Sequence, residues 1–324
     1  VLTARIEKLR AGVPEEPSGT VPAEGFRVGT VVVVETAKED YRYLLGTDPD
    51  LFNELGCETL AAVARGLSRL GSVPKVLAFP AGTFFGELES ENDAAKLVTS
   101  LVGARKGLKR ELAGLGSTAI VVGVDDRFSE PYLQVPVVIE VTGDKVNIRP
   151  LARRFDFKDV GQIPSSFLGS RSLTFEGLTT YVAYCGEIGA VNANGQVRGI
   201  QLAGSKHHDV AIDLGHYFRQ KDAFVYEDDT GKSGIGFFLR ACANAAAPDR
   251  LNAPVVVSTA LVGREPLLDV DDHDRPTFCL GLRSKERDRP NAKLAYWRPT
   301  VIQEVRTPSS NGEGDALLTI NLFQ

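Results

Sequence analysis

The residue in this chain best placed to do chemistry is a thiol at the end of an apolar strand. Leu178 to Tyr184 is a β-branched and aromatic run that stops at Cys185 and turns through Gly186 and Gly189. A sheet holds such a strand still up to its last residue, and the turn then releases the sulfur toward a cleft, which is how many nucleophiles are presented. The plainer reading is a buried, inert thiol, because free cysteine is among the most buried residue types. A second candidate is His216, which follows the apolar run Asp209 to Leu214 at the strand end where α/β loops carry chemistry. A lone histidine there is also often structural.

Other groups of polar residues are set aside on their chemistry. Gly231-Lys232-Ser233 has the ending of a phosphate-binding loop, but the earlier glycine that such a loop needs falls at Tyr226. The acidic run from Asp269 to Asp274, with His273, lacks the glycine bend and the closing carboxylate of a hard-cation loop, so it reads as a solvated surface. His207-His208 precedes a strand and reads as surface polar. No metal site is expected.

The elements that must position Cys185 alternate along the chain. Phe26 to Thr36 carries four consecutive valines, a run suited to a strand buried on both faces. A helix capped by Asp48 or Asp50 is predicted to run to Leu70. A second strand, Lys75 to Phe79, ends in Pro80-Ala81-Gly82, and a second helix spans Asp93 to Leu115. Ala119 to Val124 is a third strand. This order of strand, helix and strand calls for crossover connections and an α/β fold. Leu133–Thr142 and Lys145–Phe157 flank Gly143-Asp144, a hairpin signal. A helix or structured loop is expected over residues 194–206 and a helix over 235–247, with further strands over Pro254–Val262, Lys293–Val305 and Ala316–Phe323. Residues 1–25 read as an N-terminal arm and 26–324 as a single domain. So many strands are best buried as two sheets packed face to face with helices outside.

Bulk properties narrow the function classes. The 324 residues are 43% hydrophobic and 24% charged, with a net charge of −5. That is a globular mixture without the basic footprint of a nucleic-acid or anionic-membrane binder. No apolar run reaches the length needed to span a bilayer. Four scattered cysteines form neither a disulfide framework nor a zinc set, and they suit a reducing cytoplasm.

Taken together, these landmarks resemble the nitrilase, or carbon–nitrogen hydrolase, superfamily. The matching segments are Arg27–Val34, Val76–Pro80, Val121–Val124, Val182–Glu187, Asp209–Leu214 and Pro254–Val257. The resemblance implies a four-layer αββα sandwich with mixed sheets and a homodimer. It also implies a Glu–Lys–Cys triad that needs no cofactor and acts on a small-molecule amide or nitrile. In that chemistry the glutamate takes the thiol proton, the lysine stabilises the oxyanion and the cysteine forms a thioester.

Carried over by position, Cys185 stands where the nucleophile belongs, but Ala81 occupies the place of the glutamate after Phe79-Pro80. Arg154, or Arg153 one place earlier, is the nearest equivalent of the lysine. Glu187, Glu87 and His216 are then the candidates for base function. Two expectations follow. One is a thiol hydrolase of amide-like C–N bonds using Cys185, Arg154, Glu187 and His216. The other is a catalytically degenerate relative, a pseudoenzyme kept for binding or assembly.

Overall fold

The valine run lies in the strand about which the whole sheet divides. A computed structural model describes residues 2–34, 48–126, 133–154, 170–184, 187, 208–217, 225–227, 233–235, 253, 255–262, 281–284, 294–297, 299–309 and 314–324. Chain order opens with α1 (Leu2–Ala11), β1 (Val13–Pro14), β2 (Phe26–Val34), α2 (Pro49–Leu70), β3 (Pro74–Ala78) and β4 (Phe84–Gly86). It continues with α3 (Glu91–Ala104), α4 (Leu108–Ala113), β5 (Ser117–Asp126), β6 (Gln134–Thr142), β7 (Lys145–Pro150), β8 (Ser172–Phe175) and β9 (Leu178–Tyr184). The remaining strands are β10 (Val210–Tyr217), β11 (Val225–Glu227), β12 (Ser233–Ile235), β13 (Val255–Val262), β14 (Gly281–Ser284), β15 (Leu294–Trp297), β16 (Val301–Arg306) and β17 (Ala316–Phe323).

One edge of β2 serves two neighbours. Val28, Gly29 and Thr30 pair with β3, whereas Val32, Val33 and Val34 pair with β13, both in parallel. The opposite edge is occupied by β17, antiparallel from Val28 to Val33. The sheet therefore forks along one side of β2 into two leaves. One leaf runs β3, β5, β6, β7 and the other β13, β10, β9, β8. Between them lies a layer of apolar side chains, with Val28 and Val32 of β2 facing Val76, Val121 and Val138 on one side and Val182, Ile212 and Val257 on the other. Val31 and Val33 point the other way, into the core under α1, α2, α3 and α4. The period of two along the valine run thus feeds two separate cores, as a strand buried on both faces requires.

The architecture is an α/β sandwich with mixed strand directions: a helical layer, then two face-to-face leaves. The helix or structured loop expected over 194–206 lies outside the described residues, as does the helix expected over 235–247 except for Ile235, which ends β12. Among the described residues no helix is long and apolar enough to cross a membrane.

Several boundaries differ from expectation for local reasons. Asp48 is the cap of α2, its side chain accepting from Leu51 N at 3.1 Å. The single helix expected over 93–115 is two, because Gly107 adopts φ +88° between α3 and α4. The strand expected to reach Phe157 stops at Pro150, and that expected over 293–305 is split into β15 and β16. Gly143 has φ +58° and Asp144 does not share it, so the β6–β7 hairpin turns as type II′, with glycine first.

α1 buries Leu2, Ile6 and Leu9 in the helical-side core and is tied to α2 by charge. Glu58 of α2 is buried and accepts from Arg10 Nε at 3.1 Å and from Arg105 Nε and Nη2 at 3.0 and 2.8 Å. Burial is the largest influence and pushes the Glu58 carboxyl up. The hydrogen bonds from Arg105 and Arg10 together outweigh it and hold the group below its ordinary value. A carboxylate whose folded value is depressed contributes stability above the unfolded value, and that contribution is lost as pH falls through the folded one. Glu58→Gln is therefore expected to lose about 2 kcal/mol at pH 7 and progressively less below pH ~4, read from denaturant curves at both pH values. The half-exposed Arg10 is screened by solvent, so most of the loss traces to Arg105.

Candidate active site at the ends of the parallel strands

In open and layered α/β folds, ligands sit beyond the carboxyl ends of the strands. Here the carboxyl ends of β3, β5, β9 and β10 converge. After β3, the segment Pro80-Ala81-Gly82-Thr83 crosses the mouth of the gap between the leaves. Ala81 N donates to Gly215 O of β10 at 3.3 Å, and Gly82 N donates to the Tyr184 hydroxyl of β9 at 3.4 Å. Thr83 Oγ1 closes the turn on Pro80 O at 2.6 Å. From the helical side, Asn53 of α2 donates to Phe85 O at 2.8 Å and accepts from Phe85 N at 2.9 Å, which fixes the chain just beyond. Gly56 lets the helix come this close, since a Cβ there would lie 2.5 Å from Thr83 O.

Asp125 stands in the same gap. Val121, Gly123 and Asp125 share the inward face of β5 by their alternation, and a Cβ at Gly123 would fall 2.6 Å from both Ala81 Cα and the Tyr184 hydroxyl. A glycine is what allows three strand ends to meet at this point. The Tyr184 hydroxyl donates to Asp125 Oδ1. Gln134 Nε2 donates to Asp125 Oδ2 at 3.2 Å, and Arg154 Nη1 donates to Gln134 Oε1 at 2.6 Å. A line of hydrogen bonds thus leads from Arg154 through Gln134 and a buried carboxylate to Tyr184, the residue immediately before Cys185.

Cys185 itself lies outside the described residues, but both of its flanks are described. Glu187 N donates to Tyr184 O at 2.9 Å. The Glu187 side chain folds back, its Oε2 accepting from Tyr184 N at 2.6 Å and from Arg171 Nη2. Arg171 is fully buried and Glu187 nearly so. Burial pushes the neighbouring Tyr181 phenol up, with the Glu187 charge adding to the shift and Arg171 opposing it.

The expected site residues are thus divided. Arg154 reaches the strand ends through Gln134, and Glu187 enters from the other side through the backbone of Tyr184. His216 lies inside β10 rather than in a loop after it, because that strand continues to Tyr217; its side chain is outside the described residues. Glu87 is exposed, and so is Arg153, whose backbone N–H points to Glu91 Oε1 at 3.4 Å. His208 corrects the expectation of a surface residue. It is fully buried, with Nε2 at 2.9 Å from Ser172 Oγ and its ring edge-on to Tyr181 at 5.6 Å between centroids. Pairing of an apolar β8–β9 surface around it satisfies the imidazole where water cannot. Asp125, Gln134, Tyr184 and Arg171 were not singled out from the sequence. Of these, Asp125-Asp126 at the carboxyl end of an apolar strand carried a usable signal.

No family model matches the chain, and no curated protein does. Solved structures do. An amidase from Nesterenkonia sp. is 14% identical and aligns over 94% of this chain and 93% of its own, with a TM-score of 0.42. A variant of the amidase from Nesterenkonia sp. AN1, in complex with acrylamide, is 13% identical over 94% of both chains, with a TM-score of 0.43. Another variant of that amidase, described as from the nitrilase superfamily, is 12% identical over 94% of this chain and 93% of its own, with a TM-score of 0.40.

Proposed function

We propose that this chain hydrolyses amide-like C–N bonds of a small molecule through a thioester formed at Cys185. The observation that carries the reading is the Tyr184–Asp125 contact, which sets a buried carboxylate against the strand end from which Cys185 emerges. In the proposed reaction Asp125 accepts the thiol proton and the thiolate attacks the amide carbon. The tetrahedral intermediate collapses as the proton returns to the departing amine. Water then attacks the thioester, again giving up a proton to the carboxylate, and the acid leaves with the thiol restored. Gln134 and Arg154 orient the carboxylate from behind, so Arg154 acts through Gln134 and not on the substrate. His216 is retained in this proposal as an alternative base and Glu187 as a group that shapes the turn.

Ala81 favours a second reading. It is fully buried in the layer between the leaves and offers no carboxylate where the resemblance expects the general base. On that reading the site binds a small amide without turning it over. The two are separated by incubating the purified protein with acrylamide and butyramide, both carried by structures of the Nesterenkonia amidase, and measuring ammonia release. Fluoroacetamide, whose acetamide moiety adds covalently at the active-site cysteine of a variant of that amidase, serves as the trap, with the adduct located by peptide mass mapping. Ammonia release with an adduct at Cys185 supports hydrolysis. An adduct without release favours the second reading, and the absence of release, adduct and amide binding overturns both.

A further inference from the structure

The two ends of the segment that contains Cys185 are locked to each other, and the lock is a buried ion pair. Tyr184 O accepts from Glu187 N at 2.9 Å, a backbone link between residues three apart. Tyr184 N donates to Glu187 Oε2 at 2.6 Å, a second closure in the opposite sense made by a side chain. The same oxygen accepts from Arg171 Nη2. Arg171 has no solvent exposure and Glu187 is 3% exposed. Charges this deep are retained only when paired and hydrogen-bonded, and the carboxylate here is also spent on the last backbone N–H of β9.

We infer that Arg171 and Glu187 are positioning residues, a buried clamp that fixes the end of β9 one residue before Cys185 and on which the reactivity of that thiol depends. The inference rests on Cys185 being the reactive thiol of the proposed function. It assigns Glu187 a role different from that of a general base. A general base must exchange a proton with the reacting atom, whereas this Oε2 is engaged by the Tyr184 backbone N–H and by the buried Arg171 guanidinium.

The two roles respond oppositely to a conservative change. Glutamine keeps an oxygen that accepts from Tyr184 N and Arg171, but it cannot take up a proton near neutral pH. The readout is the rate of Cys185 alkylation by iodoacetamide in the folded protein from pH 5 to pH 10, with the modified site mapped by mass and folding checked by melting. This measurement needs no turnover, so it stands even where amide hydrolysis is not observed.

Glu187→Gln is expected to alkylate within about 10-fold of the wild type and with the same pH profile. Glu187→Ala and Arg171→Ala are expected each to change the rate by more than about 10-fold, and the double variant is expected to match either single one, as for groups that act as a unit. Should the alanine variants fail to fold, Glu187→Asp, which keeps the charge but withdraws the oxygen from Tyr184 N and Arg171, takes their place and is expected to change the rate by more than about 10-fold. If Glu187→Gln loses reactivity and its profile is displaced to higher pH, Glu187 is the base and the clamp is overturned. If all variants alkylate as the wild type does, the clamp is equally overturned.

Discussion

Cys185→Ala is expected to lower amide hydrolysis by on the order of 10⁴-fold or more, while amide binding changes little. Without the sulfur no thioester forms, and the only remaining route is direct attack by water on a bound amide. The groups that would hold that amide, the mouth segment Ala81–Gly82 and the Tyr184–Asp125 pair, are tied to one another by hydrogen bonds that the substitution leaves in the sequence. Binding of butyramide to the variant, read by calorimetry, should therefore stay within about threefold of that of the wild type. An ammonia-release rate unchanged by the substitution would place the nucleophile elsewhere and remove the mechanism.

Asp125→Asn should cost about 10²- to 10⁴-fold in kcat, the usual worth of a general base. Asparagine keeps an oxygen for the Tyr184 hydroxyl and nearly the same volume, so the fold should lose no more than about 1 kcal/mol. Tyr184→Phe offers a graded comparison. It leaves Asp125 and Gln134 in contact but removes one donor, and a loss of about 10-fold is expected. Equal and small losses in both variants would mean that the carboxylate only braces β5 against β9, and the binding reading would then stand in its place.

Local structure was legible where a single signal decided it. The valine run, the capping Asp48, the Gly143-Asp144 hairpin and the exit of β9 before Cys185 each follow from backbone preference or from alternation. What could not be read was the meeting of segments remote in sequence. Asp125 is a polar residue at a strand end until the leaves fold over and bring Tyr184 to it. Arg171 lies just before β8, and Glu187, three residues past the end of β9, meets its charge from a separate segment. His208 misled for the same reason: a histidine before a strand looks wet unless Ser172 and Tyr181 are known to enclose it. Strand length failed where proline or a late bulge intervened, at Pro150 and between Leu214 and Tyr217.

The forked strand has a consequence for how the protein is made. During synthesis β2 emerges among the first elements, yet the neighbour that closes its far edge, β17, is translated near the end. Until then a hydrophobic ladder of unpaired amides faces the ribosome's surroundings, a template for pairing with other chains. Assembly that waits on so distant a segment is intrinsically slow. That open edge of β2 is the place where a chaperone holding the nascent chain would have most to protect.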